Sequence, residues 1–489
     1  MRIRRRLTPA ARPHRVAAAV LSLVLAGTLA PLPETSLAAS PAQPATRPLP
    51  VRPATLTEID VPGTAPMSAA AVDLAAAGYT EREFYADGTA ARYAGAVSTS
   101  LETAQVIDEG WPYRTRVIVR APERKKFNGS LVVEWANVTL GLDGEFVFNE
   151  AHEYLLREGY AVAVVSAQRA GVERLRTWSP ERYDSLSVDA NGCGADGTAL
   201  CLGDPLSFDI LTQVSKALKD NTGRHRPLPG LKVDNVIATG QSQSGIRLTT
   251  YYNTIQPLYD FFDGFVYWDR SDQLRPDLRV PAISVNSEAL ATDWPPVTTA
   301  RYTRAWDVAG TTHASLYGAR YIDDVVLRDR SIPGPDGPIS FTELIEPSCE
   351  VLPVFSTVDS GLVVNAAIDS VRTWVTRGRP AAPSVYFERD ADGGLVRDAD
   401  GNVRGGIRLA QFTAPTAFQV ANNGTAFPCS VSGHHRDYTA DELTARYGTH
   451  RNYVELVRDT MRQARRDGYV LRFDEQEAVR AAWASDVAR

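Results

Sequence analysis

Val233-Asp234-Asn235-Val236-Ile237-Ala238-Thr239-Gly240-Gln241-Ser242-Gln243-Ser244-Gly245 runs from an apolar, β-branched segment through a turn of small residues into the start of a helix. Ser242 stands at the turn, with Gly240 two residues before it and Ser244 two residues after. A strand that turns sharply into a helix around a strained central residue admits only small side chains at those flanks. Ser244 is the weaker nucleophile candidate, because its own neighbour two residues on is the bulky Ile246. The following helix aims its unpaired N–H groups and the positive end of its dipole at whatever Ser242 attacks, which makes the Gln243 N–H the expected first oxyanion donor. This is the layout of a serine acyl-transfer centre. The bland alternative is a Ser/Gly-rich connecting loop, and the strand before and helix after weigh against it.

Outward from the turn, apolar runs mark the rest of a sheet. Residues 79–93 and 113–121 carry alternating or β-branched residues and read as early strands. Residues 129–135 and 160–165 are continuous apolar runs, as strands covered on both faces require. Between them Val147, Ala151 and Leu155 share a helical face, and Gly159 can supply a left-handed stop. Asp204-Pro205 reads as cap and first residue of a helix with Ile210, Val214 and Leu218 on its apolar side. Residues 265–268, 280–285 and 303–309 read as three further strands. Strands alternating with helices predict an α/β fold whose mostly parallel central sheet is covered by helices, with sites at the carboxyl ends of its strands. From 168 to 203 the periodicity dissolves into Arg, Gly, Ser and Asp, predicting a long insertion at the pocket rim or a lid.

A serine hydroxyl needs a histidine to remove its proton and a carboxylate to orient that histidine. Of the seven histidines, His313 follows the last predicted strand just past a small-residue turn, where the chain order serine, acid, histidine places the base. His434 and His435 are its rivals. For the acid, Glu288 directly follows the strand at 280–285, Asp293 lies further into the loop, and Asp269 ends the preceding strand. Glu288 is favoured, because a carboxylate beside a strand terminus is held rigidly. The second oxyanion donor is expected from the loop after residues 131–135, at the Val138 N–H. Asn137 in that loop also reads as a turn residue bonding its own backbone.

At 489 residues and a net charge of −6, the chain is long for one domain but compatible with a single enlarged one. Past its first few residues it lacks the basic blocks that nucleic acid or an anionic membrane would select. Residues 1–38 read as a signal peptide: Arg2 to Arg6 are basic, 16–30 is apolar but short for a bilayer span, and Ser36-Leu37-Ala38 suits cleavage. Either a Sec-type or a Tat-type signal is compatible with the arginines, and secretion without a stable membrane span is expected. A Pro/Ala-rich linker at 39–55 precedes a domain at 56–489. Export favours disulfides among the four cysteines. Cys193 with Cys201 and Cys349 with Cys429 are the pairings preferred on proximity, although the connectivity remains open. No cofactor is expected, and no spacing argues for a metal.

The segments Glu134-Trp135-Ala136-Asn137, 166–171 (SAQRAG), Gly240 to Gly245, Phe262-Asp263-Gly264 and Ala309 to His313 together resemble those of the α/β-hydrolase-domain family of exported serine esterases with a G-x-S-Q-S-G elbow. The resemblance covers about residue 80 to the C-terminus. It implies an α/β-hydrolase fold with Ser242 as nucleophile, His313 as base and Glu288 as acid. The family commonly follows that Glu with a polar residue and Asp, whereas Ala289-Leu290 stands here.

Residues 314–489 extend past the predicted core. Val364, Ile368, Val371 and Val375 form one helical stripe ending at Gly378, and Val454, Val457 and Met461 another ending at Gly468. Asp390-Ala391-Asp392-Gly393 and Asp398-Ala399-Asp400-Gly401 read as hairpin turns, because a calcium loop begun at Asp390 meets Gly401 where Glu is required. The extension is expected to cover one side of the pocket. The expected activity is cleavage of a small-molecule carboxylic ester. Lactone or thioester hydrolysis, acyl transfer to an alcohol, and a catalytically inactive binding protein on the same scaffold are the alternatives.

Overall fold

In a computed structural model, residues 47–189, 204–222, 224–292 and 295–489 are described. The expected signal peptide, Cys193, Cys201 and Asp293 lie outside them. Pro48–Arg489 forms one compact unit. Its sheet has nine strands: β1 (Thr55–Glu58), β2 (Tyr79–Ala94), β3 (Gln105–Pro122), β4 (Ser130–Trp135), β5 (Ala161–Val165), β6 (Asn235–Gln241), β7 (Gly264–Trp268), β8 (Ala282–Ser287) and β9 (Thr303–Val308). The spatial order is β1-β2-β3-β5-β4-β6-β7-β8-β9. From β5 to β9 all neighbours are parallel, and β1 to β3 form an antiparallel flank joined to β5.

The helices used below are α1 (Phe146–Arg157), α2 (Arg169–Trp178), α3 (Ser207–Asp220), α4 (Gln243–Thr250), α5 (Leu316–Asp329), α6 (Phe341–Ile345), α7 (Gly361–Arg377) and α8 (His450–Asp467). Alternation along each strand divides the core between the two faces. Leu131, Val133, Val236 and Ala238 join one apolar cluster with α3 and α4. Val132, Ile237, Val266 and Ile283 join another with α1, α7 and α8. Every residue of β4 to β7 is therefore buried, which explains their unbroken apolar runs. After α1, Gly159 takes φ +76°, and a Cβ there would lie 1.9 Å from the Lys126 carbonyl oxygen, so only glycine makes this turn into β5.

Several boundaries differ from expectation for physical reasons. β3 begins eight residues earlier than predicted, because Gln105 to Trp111 pair with β2 beyond the edge of the core and stay largely solvent-facing. The supposed insertion starts as α2, whose Val172 and Leu175 are buried beneath an arginine-rich outer face. It continues to Arg182 and Tyr183, which bond the Glu83 carboxylate of β2 at 2.7 Å each. Asp204 does not cap α3. It takes φ +53°, and its carboxylate accepts the Arg169 N–H at the start of α2 at 2.8 Å. Among the described residues no helix is long and apolar enough to cross a membrane.

The chain beyond β9 is an integral layer: Val371 of α7 packs so closely on β7 that a Cβ on Gly264 would meet it at 2.4 Å. The turns at Asp390 and Asp398 are hairpin turns, each aspartate side chain accepting a backbone N–H four residues on. Cys349 and Cys429 are bonded across 80 residues of chain. Closing so long a loop restricts the unfolded ensemble, and removing such a bridge costs about 2–4 kcal/mol. The double variant Cys349→Ser/Cys429→Ser is expected to lose that much stability in urea unfolding. An unchanged midpoint would contradict a stabilising role.

Candidate active site

β6 ends at Gln241, α4 begins at Gln243, and Ser242 between them takes φ +55° and ψ −119°. The backbone has no room for larger flanks. A Cβ on Gly240 would lie 2.9 Å from the Ser244 carbonyl oxygen, and one on Gly245 would lie 2.3 Å from that of Arg270. The turn is tied to the next strand by the Ser242 N–H, which donates to the Trp268 carbonyl at 3.1 Å. Ser244 is buried; its hydroxyl accepts from the Gln241 N–H at 3.0 Å and donates to the Gln241 carbonyl at 2.9 Å. It buckles the turn, with its hydroxyl engaged on both sides by the Gln241 backbone.

His313 follows β9 and a short turn, with its backbone N–H on the Val431 carbonyl at 2.9 Å. Its ring lines the same cavity as Ser242. Nδ1 bonds the carboxylate of Asp269, and Nε2 faces the Gln241 side-chain amide at 3.2 Å. The amide can only donate, so Nε2 accepts and the ring proton sits on Nδ1 towards Asp269. Asp269 directly follows β7, is fully buried and is held at φ +49°. Its carboxylate also accepts the N–H of Ser287 at 2.7 Å and the Ser287 hydroxyl at 2.8 Å.

The expected contact of Glu288 with His313 is not formed. β8 runs two residues beyond its predicted end, and Glu288 opens a helical turn after it. Its carboxylate accepts the Gly310 N–H at 2.8 Å and pairs with Arg397 at 2.7 Å. Glu288 thus braces the turn that leads to His313. His435 bonds the Phe355 carbonyl at 2.8 Å, and neither it nor His434 lines the cavity at Ser242.

The loop after β4 closes the other side. Asn137 exchanges backbone hydrogen bonds with Gly144 at 2.9 and 2.8 Å. Its side-chain amide donates to the Gln241 carbonyl at 2.8 Å, and its oxygen accepts the Thr139 N–H at 2.8 Å. The Val138 N–H points at the Gln243 side-chain oxygen at 3.4 Å, while the Gln243 amide reaches Gln168 at 3.1 Å. Gln243 therefore contributes a backbone N–H at the start of α4 and a side chain lying across the Val138 donor. Gln241 was quoted in the sequence motif without a role, yet it joins this loop to His313.

Just before the loop, Glu134 of β4 accepts the N–H groups of Val147 and Phe148 at 2.8 Å each, fixing the start of α1. Burial and the neighbouring Glu145 push its carboxyl from 4.5 up to about 8. Between those values the folded chain keeps a proton that the unfolded chain has lost, so its contribution to stability falls as pH rises from about 4.5 to about 8. The Glu134→Gln protein is expected to show a flatter stability profile across that window in denaturant titrations. An unchanged slope would show that Glu134 is charged in the fold.

The cavity at Ser242 measures about 50 Å³. A larger one, about 410 Å³, lies beside Asp269, Asn286 and Asp307 and reaches neither Ser242 nor His313, so the chemistry is assigned to the smaller space. The Asp269 contact has a direct signature. A downfield Nδ1 proton resonance of His313 is expected in the wild type and in Glu288→Gln, and is expected to be lost in Asp269→Asn. Loss in the Glu288 variant alone would reverse the two assignments.

A family model described as alpha/beta hydrolase domain matches residues 45–480. No curated protein matches the chain. Among solved structures, one from Bacteroides fragilis NCTC 9343, provisionally assigned as an acetyl xylan esterase, is 11% identical with a TM-score of 0.24, over 56% of this chain and 70% of that one. The rice cell wall degrading esterase LipA from Xanthomonas oryzae is 12% identical with a TM-score of 0.21, over 39% and 43%. Its ligand-bound form is likewise 12% identical with a TM-score of 0.23, over 45% and 50%. Similarities this slight carry no argument about activity.

Proposed function

This chain belongs to the alpha/beta hydrolase domain family, and we propose that it is a serine hydrolase cleaving carboxylic esters through an acyl-enzyme on Ser242. The observation supporting this most is the meeting, in one cavity, of the Ser242 turn and a His313 ring whose far nitrogen is held by buried Asp269. In this reading His313 Nε2 leaves the Gln241 amide and takes the Ser242 proton as the oxygen attacks the ester carbonyl. The Gln243 side chain swings away, freeing the Val138 N–H to hold the oxyanion together with the Gln243 N–H. The alcohol departs with the proton from His313. Water, deprotonated by the same nitrogen, then releases the acid and restores the Ser242 hydroxyl.

Asp269 orients the imidazole in this scheme and Glu288 acts through the Gly310 turn. Export belongs to the same reading, supported by the basic and apolar N-terminal sequence and by the Cys349–Cys429 disulfide. Ser242→Ala is expected to abolish labelling by a small fluorophosphonate and to lower ester turnover by about 10⁴-fold or more. Asp269→Asn is expected to lower kcat by about 10³–10⁴-fold, with Glu288→Gln losing far less. Undiminished labelling in the Ser242 variant would overturn the nucleophile. A larger loss in the Glu288 variant than in Asp269→Asn would restore Glu288 as the acid.

A further inference from the structure

The space against Ser242 is closed by apolar side chains. Phe341 stacks on Phe355 with ring centres 5.8 Å apart and meets Phe146 edge to face at 6.3 Å. Ile345, Val431 and Leu140 add to this apolar lining, with the polar residues Asn137, Thr139, Gln241 and Ser432 among them, and among the described residues no Asp, Glu, Lys or Arg contributes to it. About 50 Å³ remains, room for only a small group, since a single water already needs roughly 10–15 Å³.

Two stretches of the C-terminal part build this wall: α6, with Phe341 and Ile345, and the segment carrying Phe427, Pro428 and Val431. The disulfide joins them just behind the cavity, with the sulfurs of Cys349 and Cys429 3.5 and 3.8 Å from the Ile345 carbonyl oxygen. A wall that is cross-linked and close-packed cannot widen cheaply, because extra methylenes in a filled apolar space force side chains off their rotamers. Phe427, in contrast, is 60% exposed and marks the open side.

Resting on the ester-hydrolase reading, we propose that this cavity holds the acyl part of the substrate and restricts it to a neutral, unbranched chain of about two to four carbons, while the alcohol part lies towards solvent. The two parts of an ester make different demands. The acyl group stays bonded to Ser242 while water attacks, and so profits from a closed, dry space. The alcohol must leave after the first step, and so needs the open side. A carboxylate-bearing acyl group would have to be desolvated against aromatic rings with no cation among the described lining residues to receive it.

Hexyl acetate and ethyl hexanoate test this directly, since the two isomers place the long chain on opposite sides of the same bond. With purified full-length protein and acid release followed by pH-stat, kcat/KM for hexyl acetate is expected to exceed that for ethyl hexanoate by about 100-fold or more. Phe341→Ala, or Ile345→Ala in the same buried wall, is expected to narrow that ratio by about tenfold. Equal rates, or a preference for ethyl hexanoate, would overturn the acyl assignment while leaving the hydrolase reading intact. A preference unmoved by either variant would overturn the assignment to this cavity. Cleavage of neither ester, together with absent fluorophosphonate labelling, would overturn the hydrolase reading and this inference with it.

Discussion

A serine at φ +55° survives at the end of β6 because everything around it has been cleared or tied. Such a backbone costs on the order of 1–3 kcal/mol, and a sheet buried on both faces readily offsets that. Glycines at 240 and 245 leave the room, the Ser244 hydroxyl buckles the turn to Gln241, and the Trp268 carbonyl anchors it to β7. Because Asp269 directly follows β7, the strand that pins the turn also positions the carboxylate on His313. Ser242, the His313 imidazole and the Asp269 carboxylate thus inherit their relative positions from the parallel pairing of β6, β7, β8 and β9 rather than from flexible loops.

The loop bearing Val138 is supported from beneath by buried charge. Arg116, wholly buried, donates to the Ser166 hydroxyl at 3.0 Å and the Met67 carbonyl at 2.8 Å, with Asp143 at 3.3 Å. Arg120 bonds Glu145 at 2.6 Å and Glu81 at 2.7 Å. Pairs of this kind add little net stability. Removing one partner, however, strands a charge inside the protein.

Strands β4 to β7 were legible in the sequence because burial on both faces leaves no polar alternation to interpret. The strand-turn-helix at Ser242 was legible because its steric demands restrict residue type at several positions in a row. The outer half of β3 was not: Gln105 to Trp111 bury almost nothing, so no periodicity records their pairing. α2 was hidden because only a narrow apolar stripe, Val172 and Leu175 with Gly171, faces inward. Between Asp269 and Glu288 the sequence offered two carboxylates just beyond adjacent strands, and it is Asp269 that bonds His313 while Glu288 turns to Gly310 and Arg397. Rigid placement beside a strand end was a sound criterion that both residues meet. The tie from Asp269 to Ser287 distinguishes them, and it exists only once the strands are paired.

The part beyond β9, which looked like an addition to a finished core, supplies α7 to one face of the sheet and most of the apolar wall at Ser242. Its disulfide therefore bears on fold and pocket together. The most direct measurement of the whole account is a crystal structure of the protein after reaction with a small fluorophosphonate. The account predicts phosphorus on the Ser242 oxygen, a phosphoryl oxygen within hydrogen-bonding distance of the Gln243 and Val138 N–H groups, the Gln243 side chain displaced, and His313 still on Asp269. Phosphorus on another residue, or His313 turned away from both Ser242 and Asp269, would contradict it.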